Sequence, residues 1–186
     1  MPSRIRAPFQ TKFFLAAFSA AVLALAVAGA LFATTMRRQI DHRIEETLVA
    51  EARLAADLLS RGTPLATSSE LDDEAKRIGQ LIGGRVTFIA PDGRVVGDSA
   101  ETLDGVLAME NHAQRPEVVT ARATGIGRER RYSATLKIDM LYVAVPVQHP
   151  GIAFVRVALP LTDVRHQLQA VLVATFAALG LALVGG

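Results

Sequence analysis

Two charge-free apolar runs bracket this chain, and they constrain its fold more than any other feature. The first, FFLAAFSAAVLALAVAGALFATTM, extends from Phe13 to Met36, and the second from Leu168 to Gly186. A helix rises about 1.5 Å per residue, so the first run can cross a hydrocarbon core about 30 Å thick. The second reads as another span, cut short where the sequence stops. Ala28-Gly29-Ala30 has the small-residue character of a leader-peptide cleavage site. The apolar run is longer than such leaders carry and continues past that site, which favours an uncleaved anchor.

Charge gives the orientation. Of the 20 basic residues, Arg4, Arg6 and Lys12 precede the first run, leaving 17 against 18 acids in the rest of the chain. The basic excess therefore sits in a short N-terminal tail, the mark of a cytoplasmic end. The middle is close to neutral and has no basic patch with interleaved aromatics, so nucleic acid is excluded as a partner. With no cysteine, disulfides and thiol chemistry are excluded as well.

Between the runs the periodicity changes twice. Ile40, Ile44, Leu48, Ala55 and Leu58 recur at helical spacing, predicting an amphipathic helix over 37–61 that ends near Arg61-Gly62-Thr63-Pro64. Its apolar stripe suits either a second copy of the chain or the chain's own domain. A second helix lies within 62–84, capped near Thr67-Ser68-Ser69, acidic in its first turn and closed by Gly83-Gly84. The core spans 85–160. RVTFIAPDGRVVGDS predicts two strands joined at Pro91-Asp92-Gly93. Residues 101–114 read as irregular, Pro116 opens a short helix that Gly125 closes, and strands follow over 128–136, 140–147 and 152–159. Pro160 ends the last strand, and Thr162-Asp163 caps an exit helix over 161–167 that leads into 168–186. The expectation is an α+β domain: an antiparallel sheet of about five strands, with flanking helices on one side, between two transmembrane helices.

IAPDGRVVGDS, MENHAQRPEV, RYSATLKIDMLYVAVPV and FVRVALPLTDV, in that order, resemble the extracytoplasmic input region of bacterial two-component sensor histidine kinases, specifically the PhoR-like group with its PAS-like, single Cache outer domain. The resemblance implies a periplasmic sensor anchored in the bacterial inner membrane and working as a homodimer. It also implies a cytoplasmic part beyond residue 186 that uses ATP and Mg and signals to a response regulator. No cofactor is expected within these 186 residues. His42, His112, His149 and His166 all lack the acidic and Thr-Pro context of a phospho-acceptor. The alternatives are the input region of a chemoreceptor or diguanylate cyclase, or a membrane-tethered periplasmic hydrolase.

The hydrolase reading rests on Gly97-Asp98-Ser99 and Asp163-Val-Arg-His166, which mimic the nucleophile and base of GDS esterases. It lacks an oxyanion element, which acyl transfer requires. Glu110, His112 and Glu117 match no metal-ligand spacing. Gly125-Ile-Gly127 begins like a dinucleotide fingerprint, but a strand follows it where a helix is needed. The candidate binding residues are Arg128, Arg130, Arg131 and Tyr132 at the start of one strand and Tyr142 on the next. On one concave face they would offer bidentate donors to a small anion or carboxylate. Pro160, Thr162 and Asp163 are the expected signal-transmission residues.

Overall fold

A computed structural model describes residues 9–62, 65, 67–133 and 137–161. The chain divides into two compact units, residues 1–44 and 45–186, and helix α1 (Phe9–Arg61) is continuous through both. The anchor and the amphipathic helix expected over 13–36 and 37–61 are thus one unbroken helix. In the first unit Leu23, Leu31 and Phe32 are exposed, and the hydroxyls of Thr34 and Thr35 donate to the Leu31 carbonyl at 2.8 and 2.9 Å. This helix is long and apolar enough to cross a membrane.

The second unit begins with the end of α1, where Leu48, Ala52, Ala55 and Leu59 are buried. Helix α2 (Ser68–Ile82) starts at a capping box in which Thr67 and Glu70 satisfy each other's backbone N–H groups, and it ends at Gly83 in the left-handed conformation. Strands β1 (Arg85–Ile89) and β2 (Val95–Asp98) form the expected hairpin. Residues 101–114, read as irregular, contain a short helix, α3 (Leu103–Leu107), capped by the Thr102 hydroxyl. A single turn of helix leaves too little periodicity to be seen in sequence. Helix α4 (Pro116–Thr124) opens on proline and closes on Gly125, as its sequence dictates. Strands β3 (Gly127–Ser133), β4 (Ile138–His149) and β5 (Ile152–Pro160) complete a five-stranded antiparallel sheet in the order β2-β1-β5-β4-β3.

Register sorts the side chains into two faces. Val86, Phe88, Leu141, Val143, Val155 and Val157 point to one face and are fully buried. The end of α1 covers that face: Arg128 and Arg130 reach Glu45, and the Ser60 hydroxyl accepts from the Gln148 N–H. On the opposite face Ile89, Ala144 and Phe154 pack against Val118 and Ala121 of α4. Helices therefore lie on both faces, which corrects the one-sided expectation. The physical reason is that β1, β4 and β5 are buried on both sides, so neither face can be left to water. The exit helix 161–167, with Thr162 and Asp163, and the second apolar run 168–186 lie outside the described residues, except that Leu161 still donates its N–H to the Asp139 carbonyl beside the end of β5.

Candidate ligand cleft

The face under α4 carries a row of polar side chains through an otherwise apolar sheet. Cross-strand register aligns Asp98 with Thr87, Thr87 with Arg156, and Arg131 with Met140, next to Tyr142. Two close approaches frame this row. A Cβ on Gly127 would lie 1.7 Å from the Glu117 carbonyl oxygen, so only glycine lets α4 settle directly on β3. That settling puts the fully buried Glu117 beneath the helix, where it takes both guanidinium nitrogens of Arg131 at 2.9 and 3.2 Å. Arg156 approaches the same carboxylate at 3.6 Å.

The second approach is at the β1–β2 turn. Gly93 adopts φ 86°, and the loop ahead of α4 closes over it. The Asn111 side chain donates to the Asp92 carbonyl at 2.8 Å, and the His112 N–H donates to the Gly93 carbonyl at 2.8 Å. The chain's only asparagine thus pins the loop that delivers His112 to the sheet.

Between this loop and the sheet lies a cleft of about 430 Å3, lined by Arg85, Arg115, Arg131 and Arg156, by Glu101 and Glu110, and by His112 and Tyr142, with Met109 and Met140 as apolar wall. Most of the charges are already partnered. Arg85 holds Asp98 and Glu101, and Arg115 pairs with Glu110. The Tyr142 ring lies between two cations, 4.0 Å from the Arg131 guanidinium and 5.0 Å from that of Arg156. Three buried atoms have no hydrogen-bond partner among the described residues: Arg156 Nε, Arg156 Nη1 and His112 Nδ1. Both residues are nearly inaccessible, at 5% and 4% exposure. Burial lowers the Arg156 pKa to about 10, opposed by Glu117, so it remains charged at neutral pH. Burial, then the nearby Arg156 and Arg115, lowers His112 to about 4, so it is neutral. Buried polar atoms without a partner cost free energy unless one satisfies them.

Of the sequence candidates, Arg131, Tyr132 and Tyr142 line the cleft, Tyr132 at its rim with 61% exposure. Arg128 and Arg130 do not. Period-two alternation along β3 turns them to the other face, where both bind Glu45. Sequence reasoning missed Arg156, although a single arginine inside the apolar strand FVRVAL was a visible signal. It also treated His112 only as a metal candidate. Asp98 and Ser99 of the Gly-Asp-Ser motif are structural. Asp98 accepts from Thr87, Arg85 and the Ala100 N–H, and the Ser99 hydroxyl accepts from the Val86 N–H at 2.9 Å. His166, the esterase reading's base, lies outside the described residues.

The family model described as single Cache-like matches residues 39–160. The chain belongs to the single Cache-like family. No curated protein matches its sequence. Among solved structures, the ligand-binding domain of the Campylobacter jejuni chemoreceptor Tlp3, in complex with 4-methylisoleucine, superposes with TM-score 0.55 at 14% identity, covering 73% of this chain and 57% of that one. The sensor domain of the V. cholerae histidine kinase DctB gives TM-score 0.53 at 18% identity, covering 74% and 59%. The Cache fold is common to all three, and this chain spans under two thirds of either structure. It shares that fold with the ligand-binding domain of a chemoreceptor and with the sensor domain of a histidine kinase.

Proposed function

We propose that the chain is the sensory input region of a PhoR-like two-component histidine kinase in the bacterial inner membrane, with its Cache domain in the periplasm, and that the cleft receives a small carboxylate. The observation that carries the ligand reading is Arg156, a buried cation on the wall of the cleft whose Nε and Nη1 have no hydrogen-bond acceptor among the described residues. A carboxylate supplies a charged acceptor for a guanidinium donor. The kinase output, its ATP and Mg, and the response regulator belong to the cytoplasmic part of this proposal; a chemoreceptor or diguanylate cyclase output is the alternative.

The proposed active form is a homodimer paired along α1, whose Leu54 and Leu58 are exposed four residues apart. In this reading, ligand at Arg156 on β5 shifts the strand that ends at Pro160, and Thr162 and Asp163 pass the shift toward the membrane. The test is a panel of acetate, lactate, pyruvate and succinate against the chain in lipid nanodiscs, read as a thermal shift, with Arg156→Met in parallel. Stabilisation of the parent by at least one acid, absent in Arg156→Met, is expected. No shift with any of them contradicts the carboxylate reading. In a fusion to a kinase output, replacing Pro160 is expected to uncouple output from ligand while binding persists. Retained output in that variant contradicts the route.

A further inference from the structure

We infer that Arg115 is the guanidinium that meets an incoming carboxylate from the solvent side of the cleft, and that Glu110 holds it in competition with that ligand, an inference that rests on the carboxylate reading above. The four guanidiniums lining the cleft differ in what an anion must displace to reach them. Arg131 is held through two nitrogens by Glu117, whose carboxylate is fully buried and also faces Arg156. Arg85 is held by Asp98, fully buried as well. Taking a guanidinium away from either acid strands a buried negative charge, which is costly. Arg115 is the exception. Its partner is Glu110, whose side chain is 72% exposed, so a displaced Glu110 is hydrated at once.

An ion pair this exposed contributes little, so an external carboxylate with the same chemistry as Glu110 can exchange with it. Arg115 is also the most exposed of the four arginines, at 33%. The other exposed acid lining the cleft, Glu101, pairs with Arg85. Displacing Glu101 gains less, because Asp98 still neutralises Arg85. The backbone around Arg115 is fixed independently of its side chain. Asn111 and His112 pin the loop to the β1–β2 turn, and the Arg115 N–H donates to the His112 carbonyl at 3.1 Å. Arg115 is the N-cap residue of α4 but makes no side-chain capping bond. Its guanidinium is therefore free to change partner without unwinding the helix, and the exchange asks only for rotation of the exposed Glu110 side chain.

Calorimetric titration of the 186-residue chain in nanodiscs with acetate, lactate, pyruvate and succinate, at neutral pH and low salt, tests the exchange. For an acid that binds the parent, Glu110→Gln should tighten Kd about threefold, the value of an exposed ion pair that no longer opposes the ligand. Arg115→Gln should weaken Kd about tenfold or more, the loss of one charge-assisted hydrogen bond. In the Arg115→Gln background the Glu110 substitution should change nothing further, because its carboxylate then has no guanidinium to withhold. Arg115→Lys keeps the charge and loses the fork; it should bind with a Kd between those of the parent and Arg115→Gln, and it carries the test should the glutamine variant not fold. A Kd unchanged by substitution of Glu110 and of Arg115 overturns this inference and leaves the carboxylate reading standing. Tightening by Glu110→Gln that persists in full without Arg115 also overturns it, because Glu110 would then act on the ligand through its field alone. Binding of none of the four acids overturns the carboxylate reading itself.

Discussion

Glu117 is the hinge of the polar row, and neutralising it gives a prediction whose size follows from the structure. Its carboxylate is fully buried between Arg131 and Arg156. In Glu117→Gln the side chain keeps its shape and loses its charge. The Arg131 side chain is about a quarter exposed and can rehydrate, but that of Arg156 is buried and cannot. The cost is that of one buried cation left without its counter-charge, about 3 kcal/mol at the lower end of the range for broken buried pairs. For a domain of this size that lowers Tm by roughly 10 °C. Adding Arg156→Met removes the stranded charge and fills its volume, so the double variant should recover to within about 1 kcal/mol of the parent. Thermal unfolding followed by circular dichroism on the parent, both single variants and the double variant measures the cycle. A double variant as unstable as the sum of the two single changes would refute the reasoning, because the loss in Glu117→Gln would then not come from the stranded charge on Arg156.

Three further outcomes follow from the same geometry. Gly127→Ala should displace α4 from β3, because the new Cβ would overlap the Glu117 carbonyl; a Tm loss at least as large as that of Glu117→Gln is expected, and an unchanged melt contradicts the packing. Asn111→Ala removes the side-chain donor to Asp92 and should cost about 1 kcal/mol, with faster hydrogen exchange at residues 111–115 and little change in α2. His112 binds a proton more weakly in the fold than in the unfolded chain, with pKa lowered from 6.5 to about 4. Between those values the unfolded state holds more protons, so stability should fall as pH drops from about 6.5 toward 4, by up to about 1.4 kcal/mol per pH unit. A denaturation series over that range should lose this component in His112→Gln.

The elements were legible where a local signal sufficed. Helix α2 announced itself through its capping box and Gly83, α4 through Pro116 and Gly125, and the β1–β2 hairpin through Pro91-Asp92-Gly93. The cleft was less legible because it depends on register. The run Arg128-Glu-Arg-Arg131 shows four charges, but only the parity of the strand says that Arg131 faces the ligand side while Arg128 and Arg130 face α1. That parity is set by Gly127 docking under α4, a contact that no local pattern shows. Arg156 was visible as a lone charge in an apolar strand. Its meaning depended on Glu117, which is 39 residues earlier in the chain and reached only through the sheet.

The most direct test of the account is the Nε–H resonance of Arg156, identified by its loss in Arg156→Lys, in arginine-labelled protein titrated with lactate. The account predicts a saturable shift of this signal, larger than that of any other arginine, because its Nε has no acceptor among the described residues and gains one from the ligand. Lactate binding detected by calorimetry with the Arg156 signal unmoved would place the ligand elsewhere and contradict the assignment of this cleft as the sensory site.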